Sequence, residues 1–464
     1  MADQVAALDE LGVRAAALNS TLSASAAAAV ERRMRTGDVD LVYVAPERLL
    51  TDRCLRLLDE VHDAAGIALF AIDEAHCVSQ WGHDFRPEYG ALGLLRERYA
   101  AVPRIALTVT ADVPTRREIA ERLLADPEVY VASFDRPNIR YRIVAKHEPR
   151  EQLLRFIRDE HGGESGIVYC LARSTVEAVA AFLAAHGVPA LPYHAGMEPA
   201  QRAANQARFQ RADGDDACVM VATIAFGMGI DKPDVRFVAH LDMPKSIEGY
   251  FQETGRAGRD GLPADAWMAY GLADVVQQRR LIEQSDAEDS YKRLSGAKLD
   301  AMLALAEAAD CRRVRLLGYF GESSGACGNC DNCLAPPALR DATEDARKLL
   351  STIYRCQQAG GFGFAATHVI DVLRGKATDK VARFGHDRLS TFGIGADVPE
   401  ADWRLLLRHL VAQRYVDVDH DRYNVLQLTE ASRAVLRSEL RIELREPAEM
   451  PARRRKPAKA RASA

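Results

Sequence analysis

No apolar run in the 464 residues approaches the roughly 20 that a membrane-spanning helix needs. The opening MADQVAALDELGV lacks the basic-then-apolar order of a secretory leader, so the expected location is the cytoplasm. A basic excess is missing as well. The formal net charge is −5, which gives no global signature of a polyanion binder and confines any basic surface to local patches. Cysteine is sparse over most of the chain, where Cys54, Cys77, Cys170, Cys218 and Cys356 stand far apart. In a reducing compartment these read as small buried hydrophobes, not as disulfide partners.

What is present is core-forming material, with 48% hydrophobic residues over a length that accommodates several domains. Up to about residue 135, short apolar runs (Val39 to Val44, Ile67 to Ile72, Arg104 to Thr108) alternate with helical patterns such as Thr115 to Leu124. That alternation predicts an α/β lobe with a mostly parallel sheet. A second series follows, with strands expected at Gly166 to Cys170, Ala190 to Tyr193, Cys218 to Ala222 and Arg236 to His240. Ser174 and Glu177 read as a capping box opening the helix after the first of these. From Ala273 to Phe320 the pattern is helical, Pro336 and Pro337 mark a linker, and Trp403 to Val411 is amphipathic. Two alternating strands around His420 to Arg422 complete a pattern of helices plus hairpin that suggests a winged helix. The expected domains are 1–135, 136–272, 273–337, 338–440 and a basic tail, 441–464, which is disordered and either touches nucleic acid or is merely solvated.

Two clusters carry chemistry. Asp73 and Glu74 fall where the run IALFAI ends and a loop opens, the edge of an open α/β sheet at which ligands collect. A carboxylate there can hold Mg²⁺ and its neighbour can orient an attacking water. An Asp-Glu dipeptide alone is an ordinary solvated pair, but His76, Gln80, Trp81, His83, Phe85 and Arg86 follow at once. Aromatics beside a guanidinium are what stacking platforms for unpaired bases require. Separately, Cys327, Cys330 and Cys333 are spaced C-x₂-C-x₂-C with Cys311 on the preceding helix. Four thiolates can close a tetrahedral zinc site, and an iron–sulfur centre is the rival because ferredoxin-type runs begin with the same spacing.

The segment DEAHCVSQWGHDFRPEY resembles motif II and the aromatic-rich loop of the RecQ family of superfamily 2 DNA helicases, and QETGRAGRD (Gln252 to Asp260) resembles motif VI. TVTA (Thr108 to Ala111), YHAGM (Tyr193 to Met197) and ATIAFGMGID (Ala222 to Asp231) fall in the order of intervening motifs, and Pro46, Glu47 and Arg48 resemble a backbone-contacting element that could equally be a helix start. The resemblance runs from Met1 to about Leu440. It implies two RecA-like lobes, a helical zinc-binding subdomain holding Zn²⁺ through Cys311, Cys327, Cys330 and Cys333, and a winged-helix domain that grips duplex DNA. It also implies an ATP-dependent, three-prime to five-prime helicase of recombination, repair and replication. Its catalytic set would be Asp73, Glu74, His76, Gln252, Arg256 and Arg259, with Arg259 the arginine finger. Trp81, His83, Phe85 and Arg86 would sense single-stranded DNA. The implied cofactors are ATP and Mg²⁺; the implied partners are forks, recombination intermediates and single-strand-binding protein, with no membrane, in a nucleoid-associated setting.

One expected part is missing. No G-x-x-x-x-G-K-[ST] occurs in the chain, and Arg374-Gly375-Lys376-Ala377 lacks both the upstream glycine and the hydroxyl. In the family a segment resembling MADQVAALDELGV follows the phosphate loop, so the chain is expected to begin inside the first lobe, through a late start or truncated gene or as a genuine short form. A non-catalytic DNA-binding protein is therefore the alternative reading, and an RNA-directed helicase a third.

Overall fold

Parallel strands joined by crossover helices fill the chain as far as Tyr270, as the alternating pattern requires. The computed structural model describes residues 2–19, 22–79, 85–227, 231–419 and 425–445. The chain forms two units, Met1–Ala306 with Cys311–Asp331 and Glu307–Asp310 with Asn332–Ala464. Among the described residues no helix is long and apolar enough to cross a membrane.

In the first unit β1 (Ala15–Leu18) pairs with β2 (Leu41–Val44), and β3 (Phe70–Ile72) with β4 (Arg104–Ala106), both in parallel. Helices Ala24–Thr36, Asp52–Ala65 and Val113–Leu123 pack against them, with Leu57, Leu95 and Leu123 in the core. Each of these helices starts on a side-chain cap, from Ser23, Thr51 and Asp112 respectively. Around the second strand pair Leu69, Ile105, Leu107 and Val109 are exposed.

The second lobe is one six-stranded parallel sheet, in the order β5 (Ile139–Ala145), β10 (Ala264–Tyr270), β9 (Phe237–His240), β6 (Gly166–Tyr169), β8 (Val219–Ala222), β7 (Ala190–Tyr193). Central strands β6, β8, β9 and β10 are buried at every position, the signature of a sheet covered on both faces. β7 carries Pro192, which an edge strand tolerates because its outward N–H side needs no partner. The sequence pattern does not reveal β5 or β10. In β5 Arg140 and Arg142 interrupt the apolar run, and they are held by Asp265 and Glu160. The capping box at Ser174 does not form. The helix Arg173–Ala185 is capped two residues earlier, at Ala172, so Ser174 lies inside its first turn, and Glu177 instead meets His194 Nε2 at 3.1 Å.

The second unit is built on Thr343–Gly360, Ala366–Leu373, Asp379–Arg383 and Glu400–Ala412, with the hairpin β12 (Val416–Asp419) and β13 (Val425–Leu428). An antiparallel pair, β11 (Leu339–Asp341) with β14 (Glu443–Arg445), ties its two ends. His420, Asp421, Arg422 and Tyr423, the expected hairpin tip, lie outside the described residues.

A buried polar pair sits in the core of this unit. His368 Nε2 and His386 Nδ1 are 2.7 Å apart, with Phe364 stacked on His368 and Cys356 close by. Burial, reinforced by His386 and Lys380, pushes the His368 imidazole down to about 4. Burial also lowers His386, against the pull of Asp387. An unfolded histidine titrates near ~6.5, so between the two values the unfolded state binds the extra proton and acid draws the equilibrium toward it. The contribution of neutral His368 is therefore whole above that upper value and is lost as the pH falls toward about 4. In urea unfolding between neutral pH and pH 4.5, this unit is expected to lose about 2 kcal/mol through His368, and His368→Leu to flatten the slope. An equal slope in the variant would exclude His368 as its source.

Candidate functional site

Asp73 and Glu74 leave the end of β3 on a tight turn. Asp73 is exposed, and its Oδ1 accepts the Glu74 N–H at 2.8 Å. Glu74 adopts the left-handed region, φ 51° and ψ 40°, a conformation that costs a side-chain-bearing residue of order 1–3 kcal/mol and clusters at functional sites. Its neighbours hold it there. His76 is fully buried, and its Nδ1 lies 3.4 Å from Glu74 Oε2 and 3.0 Å from Thr108 Oγ1. The Leu107 N–H donates to Ile72 at 2.8 Å, and the Ala75 N–H to Leu107 at 2.9 Å, so the TVTA segment and the acidic turn form one hydrogen-bonded piece.

Phe85 and Arg86 are half-buried, and the Arg86 N–H donates to the Cys77 carbonyl at 3.0 Å. Burial, then the Cys77 sulfur, pushes the Tyr89 hydroxyl up to about 12, with Arg86 opposing. Trp81 and His83 lie outside the described residues. Arg48 is held by the buried Glu31 at 3.0 Å on a short helix that Pro46 opens, and Arg53 shares that carboxylate at 2.6 Å.

The arginines of QETGRAGRD do not stand on one helix face as their spacing suggests. Helix Ile247–Thr254 stops before them, and Gly255 to Asp260 form a turn. Gly258 has φ +55°, and a Cβ there would meet Asn138 Nδ2 at 2.5 Å, so only glycine fits. The turn sends the two guanidinium groups apart. Arg256 is buried and donates to the Gly227 carbonyl, whereas Arg259 is partly exposed and pairs with Asp231 at 2.7 Å. Gln252 is half-buried on the helix, and the adjacent Glu253 meets His240 Nε2 at 2.8 Å. Pattern reading missed His240, and also Arg136 and Asn138, whose partners lie about 120 positions away.

The four cysteines of the knuckle converge. Ligand atoms of Cys311, Cys327, Cys330 and Cys333 all lie within 4.8 Å of one another, and the Cys330 and Cys311 sulfurs are 4.0 Å apart. A tetrahedral zinc with sulfur at ~2.3 Å separates its ligands by roughly 3.8 Å, so the arrangement fits the ion. Backbone N–H groups already face the sulfurs: Cys327 donates to Cys311 at 3.3 Å, and Asn329 and Cys330 donate to Cys327 at 3.4 and 3.3 Å. Such donors stabilise thiolates, and no position is left open for substrate.

Tandem parallel α/β lobes followed by a cysteine knuckle and a winged helix are the architecture of a superfamily 2 helicase. Three family models match in register: Helicase conserved C-terminal domain over 148–261, RecQ zinc-binding over 272–334 and RQC domain over 336–453. The ATP-dependent DNA helicase RecQ of Pasteurella multocida is 45% identical over 96% of this chain and 69% of its own length. That of Bacillus subtilis is 36% identical over 96% of this chain and 74% of its own. A solved structure, Mycobacterium smegmatis helicase Lhr bound to ssDNA and AMP-PNP, aligns over 94% of this chain and 50% of its own with a TM-score of 0.44 and 15% identity. The chain belongs to the RecQ family of helicases, and its four-cysteine cluster is that family's zinc-binding element.

Proposed function

We propose that this chain carries the DNA-directed parts of an ATP-dependent, three-prime to five-prime RecQ helicase, with lobes 1–135 and 136–272, a zinc subdomain 273–337, a winged helix 338–440 and a basic tail 441–464. The observation that supports it best is His76, buried between Glu74 and Thr108, which makes the acidic turn respond to any movement of the TVTA segment. In this reading Asp73 binds Mg²⁺ and Glu74 orients water. Mg²⁺, when bound, neutralises charge developing on the phosphates of ATP. Arg259, the more exposed arginine, is the finger, while Arg256 and Gln252 position the turn. Trp81, His83, Phe85 and Arg86 take single-stranded DNA by stacking and charge. The winged helix takes the phosphates of the duplex at forks and recombination intermediates. Single-strand-binding protein and a place on the nucleoid complete the proposal.

A second reading is a DNA-binding protein without turnover, the 464 residues holding no G-x-x-x-x-G-K-[ST]. The two separate on DNA-stimulated ATP hydrolysis, measured on this chain and on a form supplied at its amino end with a strand, phosphate loop and helix. This chain is expected at background. The supplied form is expected to hydrolyse ATP and to lose about 10²–10⁴-fold on Glu74→Gln and 10³-fold or more on Arg259→Ala. A supplied form that binds DNA normally yet stays at background in both lobes' native sequence would leave only the second reading.

A further inference from the structure

The arginine turn is held only in part by its own helix, whose Phe251, Glu253 and Thr254 carbonyls accept the N–H groups of Gly255, Arg256 and Ala257 at 2.8, 3.3 and 3.0 Å. Its carbonyls, at the helix C-terminus where no intrahelical N–H is available, are taken by two side chains from the segment between the lobes. Arg136 Nη1 donates to Gly255 O at 2.9 Å, and Nη2 donates to Ala257 O and Gly258 O at 2.9 and 3.0 Å. Asn138 Nδ2 donates to Gly258 O and Leu262 O at 2.8 and 2.9 Å. One planar fork and one amide thus fix four carbonyls of the turn that presents Arg259.

The same segment is gripped from its other side by residues that flank the zinc cysteines. Arg313, two positions after Cys311, donates to the carbonyls of Arg136 and Ile139 at 3.1 and 2.7 Å and lies 3.2 Å from Asp135. Asn329, beside Cys330, donates to the Pro137 carbonyl at 3.4 Å. On the other side of Cys330, Asp331 accepts the Ile143 N–H at 3.0 Å and is paired with the buried Arg312 at 3.0 Å. An aromatic contact parallels these bonds: Phe134 stacks on Phe320 at 4.6 Å and meets Phe251, on the helix leading into the turn, at 5.9 Å.

We infer that Arg136 and Asn138 are positioning residues for the arginine turn, and that metal at the four-cysteine knuckle sets their position through Arg313, Asn329 and Asp331. Removing the ion frees the knuckle, the 135–143 segment loses its carbonyl grips, and the turn carrying Arg259 loosens although no cysteine touches it. That Arg259 faces nucleotide rests on the proposed function; the mechanical link does not.

Hydrogen exchange of the full chain, read by mass spectrometry without nucleotide, tests this. Chelation of zinc is expected to speed exchange by about tenfold or more in 255–262 as well as in 311–333, while β6 to β8 stay protected. Arg136→Gln and Asn138→Ala, kept in zinc, are expected to loosen 255–262 and leave 311–333 protected with stoichiometric zinc, because they cut the chain of contacts downstream of the metal. If chelation loosens 311–333 and leaves 255–262 unchanged, or if both variants leave the turn protected, the inference is wrong. Failure of Arg259 as the finger appears instead as unaltered hydrolysis in Arg259→Ala of the form supplied with a phosphate loop, with the exchange pattern of this chain as expected.

Discussion

Replacing Cys330 with serine is expected to abolish stoichiometric zinc and unfold the knuckle. Cys330 is fully buried, its sulfur 4.0 Å from that of Cys311, and a hydroxyl is a poor zinc ligand beside three thiolates. Structural zinc contributes on the order of 10 kcal/mol of apparent binding free energy at neutral pH, larger than the stability of many domains. The consequences extend beyond the loop because Arg312 and Asp331, paired at 3.0 Å, depend on the knuckle for their register. Elemental analysis of purified wild type and variant checks this: about one zinc per chain is expected in the first and none in the second. Iron in the wild type would overturn the zinc assignment and revive the iron–sulfur reading that the cysteine spacing leaves open.

The second large effect is expected at Trp403. Its ring is fully buried in the core formed with Leu349, Leu373, Leu406 and Leu410, and its Nε1 donates to the Gly395 carbonyl at 3.0 Å. Gly395 is shaped to the ring, since a Cβ there would come within 2.5 Å of Cζ2. Trp403→Ala removes the largest side chain of this core and one of two hydrogen bonds to the Gly395 carbonyl, which keeps the Val398 N–H at 3.3 Å, together about 4–6 kcal/mol. Marginal domains carry roughly 5–15 kcal/mol, so the winged-helix unit is expected to be largely unfolded near physiological temperature. Calorimetry should show its transition lowered or lost while zinc content persists. Trp403→Phe, which keeps most of the volume and loses only the hydrogen bond, is expected to cost about 1–3 kcal/mol. Equal losses in the two variants would show that the hydrogen bond, not packing, dominates.

The parts legible in the sequence are those whose chemistry is local. IALFAI followed by Asp-Glu needs only a buried strand and a loop to place Asp73 at the sheet edge, and three cysteines at C-x₂-C-x₂-C need only a tight turn to converge. The arginine turn is half legible: its glycines announce a tight approach, yet two arginines three positions apart suggest one helical turn, whereas the helix ends at Thr254. Arg136 and Asn138 were invisible for a different reason. Their partners are backbone carbonyls about 120 positions away, and a carbonyl carries no side-chain signature that a pattern could register. The capping box at Ser174 misses by two residues, since the helix takes its cap at Ala172, which has no side chain to bond the first turn. β10 is hard to see in the sequence because its run AWMAY has no polar alternation, as a strand buried on both faces requires.

Glu74 carries a further consequence for anyone improving the protein. Its left-handed backbone is one that asparagine or glycine would accept with less strain, so Glu74→Asn trades the proposed base for a more relaxed chain. Selection for heat resistance alone therefore rewards the loss of the side chain proposed to orient water. At this position durability and turnover pull in opposite directions, and a screen must score both to keep either.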